Sequence, residues 1–72
     1  MKKKYQLKDL DCANCAAKFQ SAIEKIDGVQ SASVNFMLQK LTIEADDARF
    51  EAIMDEVVAV GKTVVPECEV VR

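Results

Sequence analysis

The spacing of apolar residues along this chain switches between two and about 3.6, and the succession of those switches leaves very few folds open. Tyr5 and Leu7 alternate with Lys4, Gln6 and Lys8 over residues 3–8, the period of a half-buried strand. Ala16, Phe19, Ile23 and Ile26 then recur at helical spacing, opposite Lys18, Ser21 and Lys25. They predict a helix over about residues 14–27, with Gly28 as its stop. Ala32, Val34 and Phe36 give a second strand, and Leu41, Ile43 and Ala45 a third. Only Met37–Gln39 separates the two, so they are expected to form a hairpin. Asp46 and Asp47 are candidate caps for a second helix, whose apolar stripe is Phe50, Ile53, Met54 and Val57 and whose end is expected at Gly61. A last strand is expected over about residues 63–71, with Val64, Pro66, Cys68 and Val70 on one face and Glu67 and Glu69 on the other. Proline lacks a ladder donor, which assigns that strand to the rim of the sheet.

The order is βαββαβ. With right-handed crossovers it predicts an α+β fold, the ferredoxin-like sandwich, in which a four-stranded antiparallel sheet carries both helices on one face. No linker or low-complexity segment interrupts the pattern, so residues 1–72 are expected to form a single domain.

A chain of 72 residues buries a limited core and has little room to enclose an organic substrate. This counts against an independent enzyme, and the chain carries neither a phosphate loop nor an acid–base constellation. The net charge of -2 argues against nucleic acid, since phosphates are met by clustered Lys and Arg. Lys2-Lys3-Lys4 is the only basic run and reads as a solvated strand start. No apolar stretch approaches the ~20 residues that cross a bilayer, and none of signal-peptide length follows Met1. The expected location is therefore the cytoplasm, where cysteines stay reduced.

In that setting Cys12-x-x-Cys15 is read as metal-binding or redox-active rather than as a structural disulfide. The pair sits where a strand ends and a helix begins. Two intervening residues let both sulfurs converge on one ion, each ~2.3 Å from a metal such as zinc. The unpaired N–H groups and positive dipole end of the helix favour the thiolate, which is the coordinating form. A thioredoxin-type dithiol oxidoreductase also places its pair at a helix start. Against that alternative, this chain is short, its strand–helix order differs and it has no tryptophan. A structural zinc finger would need two more ligands nearby, but histidine is absent and the third cysteine is far along the chain.

Leu10-Asp11-Cys12-Ala13-Asn14-Cys15-Ala16-Ala17-Lys18, set between a first strand and a first helix, resembles the heavy-metal-associated domain. The resemblance extends to Ile26-Asp27-Gly28-Val29 and Ser33-Val34-Asn35-Phe36, and so covers nearly the whole chain. It implies a metal-binding module that passes an ion between exposed cysteine pairs by ligand exchange. Such domains occur as free-standing metallochaperones and as N-terminal domains of metal-pumping P-type ATPases. The partners implied are the membrane and catalytic domains of the chain's own transporter, or a partner metal-transfer domain, with the module itself a monomer.

Copper members of the family usually carry a methionine two places before the first cysteine and a small polar residue directly before it. Here those positions are Leu10 and Asp11, a departure that resembles the D-C-x-x-C of the zinc, cadmium and lead branch. Charge supports the difference. Two thiolates and Cu(I) leave one negative charge and favour near-linear coordination, so a carboxylate adds charge without a useful ligand. Two thiolates and a divalent ion are neutral, and Asp11 then supplies an oxygen that zinc accepts. The expected site is Asp11, Cys12 and Cys15, loaded with Zn(II), Cd(II) or Pb(II), with Cu(I) as the alternative.

Around it, Leu10 and Phe19 are expected to pack beneath the loop. Lys62, placed by this reading in the loop after the second helix, is expected to offset the negative metal site, as a lysine does in similar copper chaperones; a solvated C-terminal lysine is the competing reading. Cys68, about four residues down the last strand, is expected to lie roughly 10 Å or more from the site and to serve as a small core hydrophobe. Glu67 and Glu69 read as solvated strand residues, and Met37 and Met54 as exposed or core-filling rather than as ligands.

Overall fold

Alternation builds the sheet from its middle outwards. In the computed structural model, which describes all of residues 1–72, strand β1 (Lys2–Lys8) buries Leu7 and half-buries Tyr5 while Lys4, Gln6 and Lys8 stay exposed. It is followed by α1 (Ala13–Glu24), β2 (Val29–Asn35), β3 (Lys40–Ala45), α2 (Phe50–Val64) and β4 (Glu69–Val71). The sheet order is β2-β3-β1-β4 with every neighbouring pair antiparallel, which is the ferredoxin-like arrangement the pattern predicts. β1 therefore lies between two partners, and its C-terminal end leads straight into the cysteine loop.

The helices meet the sheet through their apolar stripes. Phe19 and Ile23 of α1, Val57 of α2 and Leu41 and Ile43 of β3 are all 0% exposed. Truncating a buried ring such as Phe19 to alanine costs about 3–5 kcal/mol in comparable cores. Edge strand β2 is also tied to α1 by polar contact, since the Val34 N–H donates to Gln20 Oε1 at 3.0 Å.

Several expectations about element ends are corrected. α1 stops at Glu24 rather than near Asp27, because Lys25 and Ile26 bond three residues back, to Ala22 and Ile23, and tighten the exit. Asp46 does cap, accepting from the Ala48 N–H at 3.1 Å, but what it caps is a single 3-10 turn (Asp47–Arg49) that leads into α2. Gly61 does not end α2. It is buried inside the helix, where a Cβ would stand 3.2 Å from Phe19 Cζ, so its missing side chain lets α2 approach α1 closely. The helix continues to Val64, and the last strand is accordingly three residues long, with Pro66 in the preceding turn rather than in the ladder. The rim position of β4 and the hairpin stand, but the link is residues 36–39, because β2 ends at Asn35 and Phe36 falls in the turn rather than in the strand.

Gly28 has φ +96°, a conformation that side-chain-bearing residues rarely adopt, and a Cβ there would lie 2.9 Å from Ile53 Cδ1. Gly28→Ala is expected to destabilise the domain by about 1–3 kcal/mol, read as a lowered urea midpoint with an unchanged slope. An unchanged midpoint would show that the α1–β2 connection relaxes freely.

Candidate metal site

The cysteine loop is built by the change from strand to helix. β1 runs out at Lys8, the chain turns at Asp9 with φ +61°, and Leu10 drops into the core at 3% exposure. Asp11 follows, exposed, and Cys12 has the extended backbone of a helix N-cap. A hydroxyl or carboxylate usually fills that position. Here the cysteine sulfur does so, with the Cys15 N–H donating to Cys12 Sγ at 3.3 Å. Ala13 and Asn14 are exposed, and Cys15, one turn into α1, is half-buried like Cys12.

That geometry makes the two thiols unequal. The Cys15 thiol donates to the Cys12 sulfur, and with the Cys15 backbone N–H it lowers the Cys12 pKa below the ordinary thiol value. The same side-chain bond, followed by partial burial and the Cys12 charge, raises that of Cys15. The Asp11 charge opposes ionisation of both sulfurs, which places it within electrostatic reach of each. Cys12 is thus the more acidic of the two thiols. A cation that displaces the thiol protons would find the sulfurs beside helix N–H groups, which favour the coordinating thiolate form.

Asp11 and Cys15 share a groove with Val65, Pro66, Glu67 and Cys68 from the turn before β4. Its volume of about 160 Å³ lies below the ~300–1,000 Å³ of pockets that enclose small organic molecules. Cys68 therefore lines the same groove as Cys15, which corrects its expected place far down a strand. The cause is the short β4: it begins at Glu69, so no length of ladder separates Cys68 from the loop end of the domain. The residue is half-buried against the core, and partial burial and then the nearby Asp9 raise its pKa. The α2–β4 turn hidden in an apparently continuous strand pattern is what concealed this neighbour.

Lys62 is also corrected. It stands in the last turn of α2, not in a loop, and lines a separate surface groove with Pro66, Glu67 and Cys68. It is exposed and is not among the residues of the groove that holds Asp11 and Cys15. No three cysteine or carboxylate side chains are already drawn together around one point.

One residue of this site escaped the sequence. Gln39, in the β2–β3 turn, accepts from the Leu10 N–H at 3.0 Å through Oε1, while its Nε2 donates to the Leu10 carbonyl and, at 2.8 Å, to that of Phe36. A glutamine between two strands carries no motif, so only the three-dimensional pairing reveals it.

The family profile for the heavy-metal-associated domain matches residues 4–63. This chain belongs to the heavy-metal-associated domain family. A "Cadmium, zinc and cobalt-transporting ATPase" of Bacillus subtilis (strain 168) is 33% identical over 70 residues, which cover 97% of this chain and 10% of the relative. A "Copper-exporting P-type ATPase" of the same strain is 37% identical over 43 residues, or 60% of this chain and 5% of that protein. The chain thus spans about a tenth or less of these relatives. Among solved structures, "CopZ metallochaperone" superposes with a TM-score of 0.73 at 25% identity, over 99% of this chain and 100% of that one. As a heavy-metal-associated domain the chain is a metal-binding module, similar both to segments of metal-transporting ATPases and to metallochaperones. None of its helices is long and apolar enough to cross a membrane.

The inequality of the thiols has a direct readout. In the reduced, metal-free domain at neutral pH, iodoacetamide is expected to alkylate Cys12 before Cys15 and Cys68, as followed by peptide mass spectrometry. Equal rates for Cys12 and Cys15 would contradict the hydrogen-bonded pair.

Proposed function

We propose that this domain captures a divalent soft or borderline ion, Zn(II), Cd(II) or Pb(II), on Cys12 and Cys15, closes over it with Asp11, and passes it on by ligand exchange. The observation that carries this reading is the carboxylate directly before the capping cysteine. Asp11 is exposed and free to rotate, lines the groove with Cys15, and acts electrostatically on both sulfurs. Two thiolates neutralise a divalent ion, so a third, anionic oxygen donor remains favourable. Around Cu(I) the same carboxylate meets a unit that is already negative.

Ligand exchange follows from exposure. Both sulfurs are half-exposed at a loop, so an incoming thiolate can bind the ion before either leaves. We assign the domain to the cytoplasmic, N-terminal part of a metal-exporting P-type ATPase. The relative transporting cadmium, zinc and cobalt matches almost the whole chain, and that is what supports the assignment. In that role the module carries out no catalysis alone, and its partners are the transporter's own membrane and catalytic domains. A free-standing metallochaperone, for Cu(I) in particular, is the second reading, favoured by the match to a copper-exporting pump and by the likeness to CopZ.

The two readings separate on Asp11→Asn. In anaerobic titrations of the reduced domain, the substitution is expected to weaken Zn(II) by about tenfold or more, ~1.4 kcal/mol, and to leave Cu(I) unchanged. Unchanged Zn(II) affinity would remove Asp11 from the site and return the copper chaperone to equal standing.

A further inference from the structure

The backbone that carries Asp11 and Cys12 is not held by the sheet at all. The β1–β3 ladder ends at the Gln6–Lys40 pair, and just beyond it the Leu7 N–H bonds the Gln39 carbonyl at 2.7 Å. Two residues later Asp9 turns at φ +61°, so Leu10 leaves the line of the strands. From there the Gln39 side chain takes over from the main chain. Its primary amide offers the same donor and acceptor as a peptide group, and it engages both the N–H and the carbonyl of Leu10. The same nitrogen also reaches the Phe36 carbonyl, which ties the amide to the opposite side of its own turn. Gln39 itself has φ +54°, a region seldom occupied by residues other than Gly, Asn and Asp. A side chain that persists there and satisfies three backbone groups is held by what it grips.

We propose that Gln39 is a positioning residue for the metal loop: a side-chain clamp that fixes Leu10 and thereby sets the direction in which Asp11 and Cys12 present their ligand atoms. It touches no ion. It acts through the backbone immediately before the first ligand, where a small rotation at Leu10 would redirect the Asp11 carboxylate relative to the cysteine pair. The clamp also links the β2–β3 turn to the cysteine loop, joining two segments 29 residues apart in sequence. Residues that orient metal ligands without binding the metal commonly change affinity by roughly 10–100-fold when replaced.

This inference rests on the reading of Asp11, Cys12 and Cys15 as the ion-holding residues, and the test separates the two. Gln39→Gly removes the amide while keeping a backbone at ease with positive φ. Gln39→Glu keeps an acceptor for the Leu10 N–H and sets an oxygen against the Leu10 and Phe36 carbonyls in place of the donor. Each variant, with wild type and Cys12→Ser alongside, is titrated with Cd(II) against a chelator. Co(II) loading then gives a ligand-field spectrum, and thermal unfolding of the metal-free form verifies the fold. Both Gln39 variants are expected to lose roughly tenfold in Cd(II) affinity and to shift the Co(II) bands, signatures that a residue serving only turn stability would not move. Folded variants with less than about a fivefold loss and an unshifted Co(II) spectrum overturn the clamp. If Cys12→Ser is also silent, the ligand assignment falls and the clamp falls with it. If Cys12→Ser collapses binding while the Gln39 variants do not, the clamp alone is wrong.

Discussion

A backbone N–H at the start of α1 and the sulfur of Cys12 satisfy one another, and much of the domain is arranged around that contact. Four N–H groups at any helix start lack partners within the helix. In this domain one of them is met by a cysteine rather than by a serine or aspartate, so the sulfur points at the first turn of α1. The cap and the reactive thiol are the same atom. Folding α1 onto the sheet through Phe19 and Ile23 therefore also places Cys15 one turn on, beside its partner. The burial energy of the core, about 1.5–3 kcal/mol for each large side chain removed from water, is what holds the pair in register.

This coupling accounts for how a thin structure can keep exposed sulfurs organised. Leu10 below the loop and Phe19 below the helix are nearly inaccessible, whereas Asp11, Ala13 and Asn14 between them are exposed. Gly61 allows α2 to close on Phe19, so the second helix supports the first. Buried side chains under an exposed rim suit a metal-binding module. The half-exposed sulfurs supply the access, and the buried side chains supply the memory of where they belong.

The fold was legible because periodicity reports burial. Tyr5–Leu7, Ala16–Phe19–Ile23 and Leu41–Ile43 each stated their element and its inward face, and the cysteine motif fell between the right pair of elements. What failed were signals with two physical causes. Gly61 was read as a helix stop, but a glycine also serves close helix packing, and its contact with Phe19 depends on a residue 42 positions away, from 19 to 61. The run from Thr63 to Val71 alternates well enough for a strand, yet Val64 and Val65 turn inward as the end of a helix and its cap. The misplaced Lys62 and Cys68 both follow from that one boundary. Gln39 was invisible for a different reason: its role is a hydrogen-bond pairing with distant backbone, which no local pattern encodes.

The central claim is that a carboxylate and two cysteines, rather than three sulfurs or two, hold a divalent ion. Cys68, which lines the same groove as Cys15, makes this a real choice. X-ray absorption of the Zn(II)-loaded, reduced domain counts the ligands directly. The account predicts a shell of two sulfurs at ~2.3 Å with lighter oxygen or nitrogen donors at ~2.0–2.2 Å. A shell of three sulfurs, reduced to two in Cys68→Ser, would contradict it and move the third ligand from Asp11 to the turn before β4.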